Sequence, residues 1–148
     1  MKLSHTVTIA APAEKVWAVV MDVALAARCV PGVAAVTPAS EGKFKGSLLV
    51  QVGPVRLVLD GDISVTARDD AARRGALRAD AKDSRVGGTV RATVDLALRD
   101  VAEGCELRID SDLQVGGRIG EFGQPVIQRK ADQLLAQFAQ CLARTAKT

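Results

Sequence analysis

The chain has 148 residues, 48% of them hydrophobic, with one Trp, three Phe and no Tyr. This suits a single domain (1–148) that buries roughly 70% of its unfolded surface in a core of Val, Leu, Ile and Ala. Of 20 basic and 17 acidic residues, only Arg129, Lys130, Arg144, Lys147 and Asp132 fall in 122–148, so residues 1–121 balance and the net +3 sits in the last segment. A dense basic stripe with stacking aromatics is missing, which argues against nucleic acid as a partner.

Leu3, His5, Val7 and Ile9 alternate with Ser4, Thr6 and Thr8, the period of a half-buried strand. Pro12 opens a helical stretch through Asp22, with Val16, Val19 and Val20 at helical spacing beside Trp17. A second short helix starts at Asp22 as N-cap and must end before Pro31-Gly32.

Strands dominate the middle. Phe44, Gly46, Leu48, Val50 and Val52 hold one phase, and after Gly53-Pro54 the phase resumes at Val55, Leu57, Leu59, Gly61, Ile63 and Val65, as in a hairpin. Leu77, Ala79 and Ala81 mark a shorter strand. Val90 to Leu98 follow the Gly87-Gly88 turn, and Cys105 to Val115 follow Gly104. Repeated one-sided alternation means an antiparallel sheet with one covered face, and there is no room for the crossover helices of a parallel sheet.

The period then changes. Ile127, Ala131, Leu134, Leu135, Phe138 and Leu142 recur at three and four residues behind Pro125, predicting a long terminal helix. It is the one element long enough to cover the inward face. The order β-α-α-β(six)-α predicts an α+β fold, a curved antiparallel sheet of about seven strands wrapped around that helix. Gly46, Gly61 and Gly75 lie on the inward phase, where they either leave room for a cavity or bend a filled core.

Few residues suggest chemistry. His5, the single histidine, is in phase with the core and reads as a satisfied core residue or as a ligand-contacting group of a cavity. Trp17 reads as helix-to-sheet packing or as cavity lining. With no second histidine and no CxxC, no metal and no cofactor is expected. Asp60/Asp62 and Asp110/Asp112 fall on the wet phase, and Ser111 has no base assigned beside it. The glycines of Val115–Gly123 match neither G-x-G-x-x-G nor a Walker motif and read as a structural joint or a flexible rim carrying Ile119 and Phe122. Arg118, Arg129 and Lys130 cluster at that joint, either as ordinary surface charge or as a weak docking patch for an acidic partner or anionic headgroups.

Cys29, Cys105 and Cys141 are odd in number and widely spaced, and no signal peptide precedes the first strand. Free thiols in a cytoplasmic protein are the expectation. No run of 18 apolar residues suggests a transmembrane segment.

The stretches APAEKVWAVVMDV (Ala11–Val23), CVPGV (Cys29–Val33), VQVGPVRLVLDGDI (Val50–Ile63) and DSDLQVGGRIGEFGQPVI (Asp110–Ile127) resemble the G-subunit family of aerobic carbon monoxide dehydrogenase. That family is a branch of the START-like (helix-grip, polyketide-cyclase-like, SRPBCC) superfamily. The resemblance covers nearly the whole chain, and the Val50 and Asp110 stretches are its more specific parts.

It implies a non-catalytic cavity for a hydrophobic, quinone- or lipid-like ligand. It also implies molybdo-flavoenzyme subunits as partners, with a docking or maturation adaptor that recruits such an enzyme to the membrane as an alternative role. By position, Leu48, Val50, Leu57, Leu59, Leu96, Leu113, Leu134 and Phe138 become wall residues. Pro31, Gly32, Gly116, Gly117, Ile119 and Phe122 become the rim. A cyclase- or hydratase-like enzyme using His5 is a further alternative. Longer members carry an apolar or amphipathic tail after the grip helix. This sequence ends at Thr148 without one, so transient contact at the inner membrane face is expected rather than self-anchoring.

Overall fold

The first strand, β1 (Lys2–Ile9), buries Leu3 and Ile9 and keeps Lys2, Ser4, Thr6 and Thr8 in water, as its alternation requires. In this computed structural model, which describes residues 1–147, β1 leads into helix α1 (Ala13–Met21). Thr148 and the side chain of Lys147 lie outside the described residues. Helix α1 begins with the Pro12 carbonyl accepting the amides of Lys15 and Val16. Asp22 then caps α2 (Val23–Ala27), its carboxylate accepting the Leu25 amide at 3.2 Å.

The remaining strands are β2 (Val33–Ser40), β3 (Lys43–Val52), β4 (Val55–Asp69), β5 (Arg74–Asp83), β6 (Gly88–Val101) and β7 (Gly104–Gly117). They form one sheet in the order β1-β7-β6-β5-β4-β3-β2, and every neighbouring pair is antiparallel. Gly53-Pro54 is the hairpin corner, with Val52 opposite Val55. Gly53 takes φ +59 and proline fixes the next φ near −65°, the sign pattern of a primed turn whose twist suits a hairpin.

Strand β2 completes the count of seven, although its own segment, VAAVTPAS, shows no alternation. It is an edge strand, where Pro38 is tolerated because its missing N–H breaks no ladder.

A 3₁₀ turn (Arg118–Phe122) joins β7 to the terminal helix α3 (Gln124–Lys147). Helix α3 packs against α1, β1 and the 3₁₀ turn, so it is anchored over one end of the sheet. The apolar interior is correspondingly split. One cluster gathers Ile9, Val16, Trp17, Leu107 and Leu142, and the other gathers Val50, Leu57 and Ile119.

The expectation of three free thiols is corrected. Cys29 and Cys141 form a disulfide with their Cα atoms 5.2 Å apart, and Cys105 is the free, buried cysteine among the described residues. A separation of 112 residues conceals the pairing in the sequence. The fold creates it by laying the end of α2 beside the last turns of α3. The cysteines therefore no longer point to a reducing compartment.

Candidate functional site

Between the two clusters lies a cavity of about 380 Å³, walled by α2, by β2 to β7 and by α3. Its width originates in one row of the sheet. Val36, Gly46, Gly61, Ala81 and Val90 are successive Cα partners across β2 to β6, all on the inner face. In the next row Ile63 faces Ala79, and Ala79 faces Ala92. Small side chains at the centre of a bent sheet leave space that α3, held near β1, does not fill.

Gly75 behaves differently from Gly46 and Gly61. A Cβ there would stand 3.0 Å from the Met21 Cε and 3.4 Å from the Trp17 ring, so its gap is already occupied by core side chains. The inward glycines thus serve both roles: two line the cavity and one admits packing.

Of the wall residues expected from sequence, Leu48, Leu59, Leu96, Leu134 and Phe138 meet around the cavity. Val50 and Leu57 lie beyond its end, in the cluster closed by Ile119. Leu113 stands opposite Ala92 on β7, outside the lining. Trp17 is 7% exposed in the main cluster, and its indole Nε1 donates to Asp70 Oδ1 at 2.8 Å, tying α1 to the β4–β5 turn. Arg68 and this indole hold the Asp70 carboxyl below its ordinary value. His5 points at α3, with Nε2 3.1 Å from Asp132 Oδ1 and a buried Nδ1 that has no partner. It is not part of the cavity lining.

The rim residues also separate. Pro31 and Gly32 sit between Val30 and Val33, both of which line the cavity, and the Gly32 carbonyl accepts the Leu49 amide at 2.8 Å. At the other joint, Ile119 is 3% exposed and Phe122 packs against its cluster, so this joint is a plug of the apolar interior. Gly116 faces the outer side of the sheet. Arg118 and Arg129 are exposed and Lys130 is partly so; none of the three makes an ion pair among the described residues.

Sequence reasoning left out the α2 side of the wall: Val23, Ala26, Ala27 and Val30. The signal was present as DVALAARC, a helix whose small apolar residues suit a lining better than a core.

A polar recess of about 570 Å³ opens on the outer face among Asp60, Asp62, Asp80, Lys82 and Arg91. Asp80 is bonded by Arg91 at 2.7 Å and Arg78 at 3.0 Å, which lowers its pKa. Acidic and basic side chains interleaved on a wet face make this ordinary sheet surface. No group of three or more His, Cys, Asp or Glu able to hold a metal occurs among the described residues.

An antiparallel sheet gripping a terminal helix around an apolar cavity defines the helix-grip class of ligand-binding domains. The model of the carbon monoxide dehydrogenase G-subunit (CoxG) family matches residues 6–147, and the chain belongs to that family.

Among solved structures, a conserved protein from Geobacillus kaustophilus is similar with TM-score 0.90 and 21% identity, covering 99% of this chain and 95% of its own. The Zhui aromatase/cyclase from Streptomyces sp. R1128 has TM-score 0.68 and 19% identity, with 99% and 93% covered. Norcoclaurine synthase from Thalictrum flavum has TM-score 0.66 and 15% identity, with 97% and 84% covered. At these identities the likeness is one of fold. Comparison with curated proteins gives no match.

Proposed function

We propose that the domain is a non-catalytic carrier that holds a quinone- or lipid-like molecule between sheet and helix, in the service of a molybdenum hydroxylase of the carbon monoxide dehydrogenase type. The observation that carries this reading is the cavity itself: about 380 Å³, walled almost wholly by aliphatic groups. A site of that character favours an apolar ligand; Ser47, Asp62 and Asp80 border it but lie on the outward strand phase, and Asp80 is engaged by Arg78 and Arg91. His5, the residue a cyclase- or hydratase-like reaction would use, is engaged with Asp132 outside it. Family membership supports an accessory role and the enzyme partner. No helix among the described residues is long and apolar enough to cross a membrane, which fits a transient visit to the bilayer surface.

Native mass spectrometry of the purified protein, with matched solvent extraction, tests the carrier. Added mass of an isoprenoid or acyl compound, released by solvent, is the expected result. A protein that takes up neither isoprenoid nor acyl probes would sink the reading.

The cations at the 3₁₀ turn favour a second role as a docking adaptor. Arg118 and Arg129 are exposed, Lys130 is partly so, and none of the three meets a carboxylate among the described residues, which leaves their charge available to an acidic partner. Reversing the three charges is expected to abolish co-purification with the enzyme partner. Unchanged association would exclude the patch as the docking surface.

A further inference from the structure

We propose that the Cys29–Cys141 disulfide is a redox latch on the cavity wall, holding α2 against α3 when oxidised and freeing it when reduced. Its consequence for ligand traffic rests on the carrier reading above.

Helix α2 buries Val23, Ala26 and Ala27 and packs Leu25 against the main cluster, and beyond that apolar contact it has few ties. The helix has five residues. Its close neighbours are α1 and β2, and the pairing of Cys29 with Cys141 is its main tie to α3. Yet the two helices are neighbouring walls of one space. Ala26, Ala27 and Val30 line it from the α2 side, and Leu134 and Phe138 line it from α3. Cys141 follows Phe138 by three residues, so both lie on one face of α3. Cys29 immediately precedes Val30. The cross-link therefore bridges the two walls at the edge of the cavity. Without it, α2 and the Pro31-Gly32 turn keep the Asp22 cap and the Gly32–Leu49 hydrogen bond, one at each end of the segment, and between them only the apolar contacts of Val23, Leu25, Ala26 and Ala27. Such a segment can swing between two fixed points.

The chemistry is thiol–disulfide exchange with a dithiol reductant. A thiolate of the dithiol attacks the Cys141 sulfur, because Cys141 is the less buried partner. The Cys29–Cys141 bond breaks, and Cys29 leaves as thiolate and takes a proton. The reductant's second thiolate then closes its own disulfide and releases Cys141, which takes the second proton. Two electrons pass to the protein. Thr145 Oγ1 lies 3.7 Å from the Cys29 sulfur and 3.9 Å from that of Cys141, within reach of both thiols as they form. Cys105 does not compete, since burial raises its thiol pKa and keeps it protonated.

The test compares the air-oxidised protein, the same protein reduced with dithiothreitol, and a Cys29→Ser/Cys141→Ser double variant. Hydrogen–deuterium exchange at residues 23–33 is expected to quicken about tenfold on reduction and in the double variant, while α1 and β4 to β7 hold their protection. Release of a bound fluorescent fatty acid is expected to quicken in parallel. Equal exchange at 23–33 in both redox states overturns the latch, as do three free thiols in protein prepared without reductant. Uniformly faster exchange over the whole molecule overturns it too, because the bond is then a staple for the entire fold. If the fatty acid binds in neither state the carrier reading falls, and the amide exchange still decides whether α2 is latched.

Discussion

Gly61 lies opposite Ala81 at the centre of the sheet, and a Cβ placed on Gly61 would stand 2.7 Å from the Ala81 Cα and closer still to the Asp80 carbonyl oxygen. Both obstacles are backbone, which cannot turn aside as a side chain does. The close approach of β4 to β5 at this point is therefore part of the bend that makes the cavity. Gly61→Ala is expected to cost about 1–3 kcal/mol, the usual range for overpacking. Urea unfolding followed by the fluorescence of Trp17, the single tryptophan, reads this as a lower midpoint with an unchanged slope. Gly53→Ala is the comparison. Open space surrounds that position, but φ is +59, so only backbone strain of about 1–2 kcal/mol applies. A Gly61→Ala protein as stable as the parent would show that the strands do not approach so closely.

Filling the cavity is expected to separate binding from folding. Ala79 and Ala92 are Cα partners on β5 and β6, and both line the space. In Ala79→Phe or Ala92→Phe the new ring enters a void rather than a packed core, so thermal stability should hold or rise. Affinity for an acyl probe should fall about tenfold or more, equivalent to about 1.4 kcal/mol. Isothermal titration beside a melting curve gives both quantities. Uptake that survives both substitutions places the ligand elsewhere on the molecule.

The sheet and the grip were legible because period-two alternation and a three-four stripe are direct images of strand and helix geometry. The position of the cavity was less so. Phase tells which face of the sheet a residue occupies, and not how far along that face. Val50, Leu57 and Leu48 share one phase on two strands and one cluster with Ile119, yet only Leu48 of the three also lines the cavity. Trp17 and His5 likewise face inward and contact Asp70 and Asp132, partners that only the tertiary fold brings near. Strand β2 escaped for a local reason, since an edge strand with one wet side and a proline carries no alternation. The Cys29–Cys141 bond escaped for a global one, being closed by the return of α3 across the molecule.

Asp83 supplies the last expectation, one about acid. It ends β5 at 3% exposure, and its carboxylate accepts the amides of Val58 at 2.6 Å and of Arg85 and Val86 at 2.8 Å each. One side chain thus ties β4 to the turn that leads into β6. Those amides, Val86 first and then Val58, hold its pKa below the ordinary carboxylate value. A depressed folded pKa means that the ionised form is the one the fold favours. Its contribution is complete above about pH 4 and is lost as pH falls through the folded value. Asp83→Asn keeps the size but cannot accept three amides as a carboxylate does, so it should lower the melting temperature by several degrees at pH 7. Because the parent loses the same interaction in acid, the gap between the two proteins should narrow steadily below pH 4. Melting curves of both from pH 7 to pH 2.5 decide the matter. A gap that stays constant over that range would mean that the Asp83 charge plays no part in holding β4 to the β5–β6 turn.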